Sequence, residues 1–228
     1  MNFEHSAERR MLGDSLNRFI AQNYNLEKRQ QSLQSGQGFN SGIWQQLAEM
    51  GVIGALFSEA DGGYGGGGFD LALVFEAVGR GLLVEPLLGS AVLAGDAIAS
   101  AGSETQKIEL AQIIDGSLIA ALAHDEPDSH YELNRVACRA EPQADGWRLD
   151  GTKSLVLHGE QAGLLVVSAR TAGAIDDSQG ISLFLVPRDT PGLEIRGSAT
   201  LDGGSVAQVR LNQLLVPGSA LLLSLIHI

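Results

Sequence analysis

His124-Asp125-Glu126 gathers three side chains able to ligate a metal or move a proton. A metal site draws donors from more than one stretch, and no second histidine stands at ligand spacing. The run therefore reads as a polar turn, closed by Pro127. His158 lies just past a run that reads as a strand, and alone it is expected to be satisfied by backbone. Ser154, Ser168 and Ser182 lack the G-x-S-x-G elbow that would expose a nucleophile. Lys153 follows Gly151-Thr152 with no glycine-rich loop before it, so it is no phosphate-binding lysine. Gly63-Tyr64-Gly65-Gly66-Gly67-Gly68 contains GxGxxG, but a dinucleotide fingerprint needs a strand before it and a helix opening directly on it. Helical patterns flank this loop on both sides, so it is expected to be a flexible connection in which glycines permit positive φ.

The elements that must position these groups divide into two kinds. Leu12, Leu16, Phe19 and Ile20 share one helix face. A second helix is expected from Ser41 through Trp44 and Leu47 to Gly51, and a third from Asp70, burying Val74, Ala77 and Val78. A fourth has Pro86 near its first turn, where a missing N–H costs nothing. A fifth opens on Ser103-Glu104-Thr105-Gln106, a capping box, and ends at Gly116. Helices this close in sequence pack as a bundle. Beyond about residue 118 the period becomes two: Val136, Cys138 and Ala140 alternate with Arg135, Ala137 and Arg139. Asp145-Gly146 and Asp150-Gly151 are hairpin-turn signals, and strands are expected at 164–169, 181–186 and 206–211. The fold class is α+β: an N-terminal all-helical bundle (1–117) followed by a small antiparallel β-barrel or sandwich domain (118–222).

A net charge of −12 argues against nucleic acid, which needs clustered Lys and Arg. Cys138 is the only cysteine, which excludes an intrachain disulfide and points to a reducing, cytoplasmic setting. The opening MNFEHSAERRMLGD is too charged for a signal peptide, and no apolar run reaches membrane-spanning length. The end, LLLSLIHI, loses all turn chemistry. Residues 223–228 are what the end of a library-preparation adapter encodes, so they are expected to be scar at a truncated gene.

ALAHDEP, DGWRLDGTKSLVLHG and AGLLVVSAR, in that order, resemble the middle domain of acyl-CoA dehydrogenases. SEADGGYGG and GSETQKIELAQIIDGS are similar to segments of that family's N-terminal domain, and the likeness extends to about Leu222. Val156-Leu157-His158-Gly159 and GISLFLVPRDTPGL look like the small subunits of pimeloyl-CoA dehydrogenases. The resemblance implies an FAD platform, an acyl-CoA substrate of dicarboxylic, pimeloyl type, a large acyl-CoA dehydrogenase subunit as partner, and electron-transfer flavoprotein as acceptor. In the family a carboxylate base removes the α-proton of the thioester while the β-hydrogen leaves as hydride to the flavin. That base sits in a C-terminal helical domain, so no catalytic residue is assigned here and the 228-residue chain is expected to be inactive alone.

By the same resemblance Leu122, His124, Asp125, Leu155, Leu157 and His158 occupy the flavin-contacting positions. Several depart from the family pattern: Leu155 stands for an aromatic that covers the ring, and Leu157 for a threonine that bonds it. The alternative is therefore a non-catalytic small subunit that shapes its partner's site without binding FAD. A flavin oxidase or monooxygenase, using oxygen directly, is a third reading.

Overall fold

The computed structural model describes residues 5–34, 36 and 38–224. Helix α1 (Ala7–Asn23) is capped by the Ser6 hydroxyl, which accepts from Arg9 N–H, and buries Leu16 and Ile20. Helix α2 (Leu26–Gln34) is not legible from periodicity, because only Ser32 of its residues is buried. It is built instead from Leu, Glu, Lys, Arg and Gln, which lose little side-chain freedom in a helix. Helix α3 (Ser41–Glu49) begins where expected, with Asn40 capping Ile43 N–H, and buries Trp44 and Leu47.

The glycine-rich loop differs from the expected flexible connection. Gly63, Tyr64, Gly65 and Gly66 donate to the carbonyls of Ser58, Gly54, Phe57 and Ala55. A Cβ at Gly63 or Gly65 would lie 2.4 Å from a backbone oxygen, so glycine here permits close packing. Helix α4 (Gly68–Gly81) starts before the expected Asp70, whose carboxylate instead accepts from Gly67 N–H and from Arg9. Arg9 holds the Asp70 carboxyl below its ordinary range, and the pair ties α1 to α4. Past Pro86 a π-helical stretch (Leu87–Gly95) runs into α5 (Asp96–Ala101). Helix α6 (Ile108–Ile114) starts later than the capping-box reading placed it. Gln106 does accept from Ser103 N–H, but its amide reaches the Ser219 and Leu221 carbonyls, and the Ser103 hydroxyl bonds that amide oxygen.

The strands are β1 (Ala120–Ala123), β2 (Arg139–Gln143), β3 (Gly146–Leu157), β4 (Leu164–Arg170), β5 (Ile181–Pro187), β6 (Leu193–Ala199), β7 (Ser205–Pro217) and β8 (Leu221–Ser224). Their order is β6-β7-β3-β2-β4-β5-β8, with β1 also beside β4. Pairing is antiparallel as expected, except that β1 and β2 run parallel to β4. Every residue of β4 is buried, because both its faces are covered. Leu164 and Val166 pack into the helical core, while Leu165, Val167 and Ala169 join a second core with Phe184 and Val209. Asp145-Gly146 does close the β2–β3 hairpin. Asp150-Gly151 does not turn: it is an irregularity within β3, where Asp150 accepts from Gln213 N–H and Gly151 (φ 152°) passes against Cys138. Leu223 and Ser224 continue β8, with Ser224 opposite Ser182, so strand structure persists beyond Pro217-Gly218; the remaining tail positions lie outside the described residues.

Candidate functional site

Lys153 is fully buried, at an inward position of β3. Its ammonium donates to Glu126 Oε1 at 2.7 Å, Ser168 Oγ at 2.9 Å and the His124 carbonyl at 3.1 Å. Glu126 also accepts from the N–H groups of Ala137 (2.7 Å) and Cys138 (3.0 Å). A buried charge persists only when it is paired and its hydrogen-bonding capacity is used, and both partners meet that condition. The consequence is local order: the loop after β1 is anchored from beneath by β3 and β4. His124 Nδ1 stands 3.0 Å from Ser168 Oγ, and burial followed by the Lys153 charge holds its pKa below the ordinary value. The polar turn read from His124-Asp125-Glu126 is thus a buried bracket, and among the described residues no cluster suits a metal.

Above this bracket β3 carries a bulge. Lys153 pairs with Val209 and Val156 with Ala207, so Ser154 and Leu155 together oppose Gln208. Ser154 N–H donates to the Asp125 carbonyl at 2.8 Å, which brings the bulge and the β1 loop together. Leu155 sits at φ 52° with its side chain 50% exposed, an apolar group held outward at a conformational cost. Asp125 and Leu155 are therefore neighbours. Leu122 packs against the helical core, and His124 is turned to Ser168. Leu157 and His158 belong to a different surface, a cleft of about 310 Å³ between α4, the Val84–Gly89 segment and the 200–205 loop. Of the six expected positions, Asp125 and Leu155 adjoin through the Ser154 N–H, and Leu157 and His158 share the cleft, in whose lining the other four do not stand.

His158 (φ 53°) is buried, and its Nε2 bonds the Val84 carbonyl at 3.0 Å, the backbone partner expected of it. Because a carbonyl only accepts, Nε2 carries the proton. Burial lowers the His158 pKa, which keeps the ring neutral and leaves Nδ1 as an acceptor. Glu85 lines the same cleft at 4% exposure, and burial raises its carboxyl pKa. The Tyr24 hydroxyl and the N–H groups of Asn40, Val84 and Glu85 surround that carboxyl, yet neither oxygen has a hydrogen bond of ordinary length and angle. Sequence reasoning missed Glu85 and, although it weighed Lys153 and Ser168 for other roles, their joint bonding with Glu126 and His124. The available signals were a lone acid inside the apolar run Leu82–Leu88, and a lysine two places from Gly151 on the inward phase of a strand.

Residues 6–117 match the acyl-CoA dehydrogenase N-terminal domain, and residues 121–213 the acyl-CoA dehydrogenase middle domain. Acyl-CoA dehydrogenase FadE12 of Mycobacterium tuberculosis is 30% identical over 198 residues, covering 84% of this chain and 49% of that protein. Mitochondrial isovaleryl-CoA dehydrogenase of Pongo abelii is 29% identical over 212 residues, 86% of this chain and 50% of the relative. Among solved structures, the ChsE4-ChsE5 complex of Mycobacterium tuberculosis superposes with a TM-score of 0.84 at 28% identity, over 97% of this chain and 58% of that one. The FAD complex of PigA gives 0.85 at 25% identity, over 97% and 59%. The chain thus spans about half the length of the curated relatives it matches. The two domain matches in sequence order and these relatives agree: the chain belongs to the acyl-CoA dehydrogenase family, of which it carries the N-terminal and middle domains.

Proposed function

We propose that this chain forms the N-terminal and middle portion of an FAD-dependent oxidoreductase that desaturates an acyl-CoA thioester between its α and β carbons. The observation that carries the reading is the β3 bulge, which holds Leu155 outward beside Asp125 on a loop braced by Lys153 and Glu126. An exposed leucine in a strained conformation fits an apolar ring face, since nothing in the fold itself requires it there. FAD, when bound, supplies the hydride acceptor. Leu155 would then cover the ring, while the Asp125 backbone and His124 set the loop's place. Leu157 brings no hydroxyl, so it leaves any polar ring edge to other groups. None of these residues is placed as the base for the α-proton.

Leu155 and Leu157, standing for an aromatic and a threonine, also favour a second reading, a small subunit that shapes a partner's site without holding FAD itself. The likeness to one chain of the two-protein ChsE4-ChsE5 assembly supports a large dehydrogenase subunit as partner in either case. Electron-transfer flavoprotein is the proposed acceptor, and a cytoplasmic location is proposed from the lone, buried Cys138. A pimeloyl-type chain is the narrower substrate proposal. Flavin titration followed by fluorescence quenching discriminates the readings: saturable FAD binding weakened by Leu155→Asp supports the first. Absence of binding, alone and with the large subunit, refutes it.

A further inference from the structure

Strand β6 is an edge of the sheet: among the described residues it pairs with β7 and with nothing on its other side. Its register against β7 runs unbroken from Leu193 opposite Leu211 to Ala199 opposite Ser205. In that same register Asn212 N–H donates to the Gly192 carbonyl, and Thr200 N–H to the Gly204 carbonyl. An antiparallel ladder bonds every second residue. The even-numbered residues of β6 are therefore spent on β7, and the backbone groups of Leu193, Ile195, Gly197 and Ala199 point away from the sheet. Leu193 N–H turns back to the Thr190 carbonyl, which leaves Ile195 and Gly197 as open donors at the centre of the edge. Leu193 and Ile195 pack back on the second core and the Glu160 side chain lies over Gly197, so the strand is held from behind. Such an edge is a template for another strand, and native sheets guard it with proline, lysine or a bulge. Strand β6 has none of these. It carries one charge of each sign, Glu194 and Arg196, both exposed and neither in an ion pair among the described residues.

We propose that two copies of this chain join edge to edge through antiparallel β6 strands, about a two-fold axis at Ile195. Each copy then donates Ile195 N–H to the partner's Ile195 carbonyl, and Gly197 N–H to the partner's Leu193 carbonyl. Glu194 of each copy faces the partner's Arg196 on the exposed side, in the non-hydrogen-bonded pairs whose side chains stand closest. Moving the axis one residue either way sets Glu194 on Glu194 or Arg196 on Arg196. Unlike charges directly opposite stabilise a sheet and like charges destabilise it, so the charge pattern selects this register and a second copy as the occupant. The contact is isologous and closes on itself. The inference stands apart from the acyl-CoA reading.

Sedimentation equilibrium on the full chain should show dimers that weaken as salt is raised. Glu194→Arg and Arg196→Glu each turn both cross-strand pairs repulsive, and each alone should raise the dissociation constant about tenfold. Mixed in equal amounts, the two variants meet as unlike charges at both pairs and should recover the parent's affinity as a heterodimer. That rescue also shows that both variants are folded. Amide hydrogen exchange at Ile195 and Gly197 should slow as protein concentration rises, which places the contact on β6. Association through an apolar face elsewhere would ignore these charges. A monomer at every concentration, dimers indifferent to either charge swap, a mixture that stays apart, or exchange at those amides independent of concentration would each overturn the proposal.

Discussion

Replacing Lys153 by methionine keeps the stem and deletes the ammonium, so it tests the bracket beneath the site. At 2.7 Å and an effective dielectric near 20, the gross attraction to Glu126 is about 6 kcal/mol. Much of that offsets the cost of drying two charges, which is why the net value of such pairs is small. Removing one partner is different, because the survivor stays buried and uncompensated. Breaking a buried pair in this way typically costs about 3–5 kcal/mol. Glu126 keeps two backbone N–H donors, so the lower end, about 3 kcal/mol, is expected. Urea denaturation at neutral pH, followed by circular dichroism, reads this directly. The companion Glu126→Gln and the double variant complete a cycle, and the double should cost less than the two singles added. A Lys153→Met loss below about 1 kcal/mol, or a double variant whose cost equals the sum, would refute the claim that this pair braces the loop.

Burial pushes the Cys138 thiol up to about 11, so iodoacetamide should label the native chain slowly and the urea-unfolded chain fast; prompt native labelling contradicts its placement. Leu155→Gly relieves a positive φ and gives up only a half-covered side chain, so stability should hold within about 1 kcal/mol while FAD affinity falls; a larger loss of stability argues against the strained bulge. His124 and His158 have folded pKa values below the ordinary value of 6.5. The unfolded chain therefore binds protons first, and stability, complete above pH 6.5, should fall as pH drops from there toward the folded values. His158→Asn, tolerant of the same backbone, should flatten that decline in urea midpoints, and an unchanged slope would remove His158 from the account. Trp44→Phe deletes a partly buried 2.9 Å bond to the Gly116 carbonyl and should cost about 1 kcal/mol by the same assay.

What was legible in the sequence followed from burial on one face. Leu16, Trp44, Leu47 and Val74 announced their helices because one stripe of each packs inward. Arg135–Ala140 shows the same logic: Val136, Cys138 and Ala140 are buried in alternation although the strand itself begins only at Arg139. Helix α2 was illegible because almost nothing in it is buried, and Asp150-Gly151 misled because a bulge uses the residues a turn uses. The glycine-rich loop shows a further limit: sequence reveals where glycine stands, not whether freedom or closeness is the reason. For the site, resemblance named positions while physics named partners. The resemblance proposed His124 and Leu155, but the Lys153–Glu126 pair joins residues 27 apart and is a property of register.

The two layers of the site answer to different constraints, and this decides where the competing readings can be separated. The lower layer, Lys153 with Glu126, Ser168 and the His124 carbonyl, is a buried ionic network that loses stability if any member is left unpaired. It would be kept by a flavin-binding chain and by a structural subunit alike, because both need the β1 loop held. The upper layer bears no such penalty: Leu155 is half exposed and Leu157 half buried, so exchange there alters chemistry at little cost to the fold. Whether a side chain at Leu157 carries a hydroxyl, as the family resemblance implies for that position, is thus informative about flavin contact, while the intact bracket is not. Introducing one with Leu157→Thr should leave the unfolding free energy from urea denaturation within about 1 kcal/mol of the parent. If the chain is a flavin platform, that variant should bind FAD more tightly; if affinity stays nil, the surface has been given over to shaping a partner.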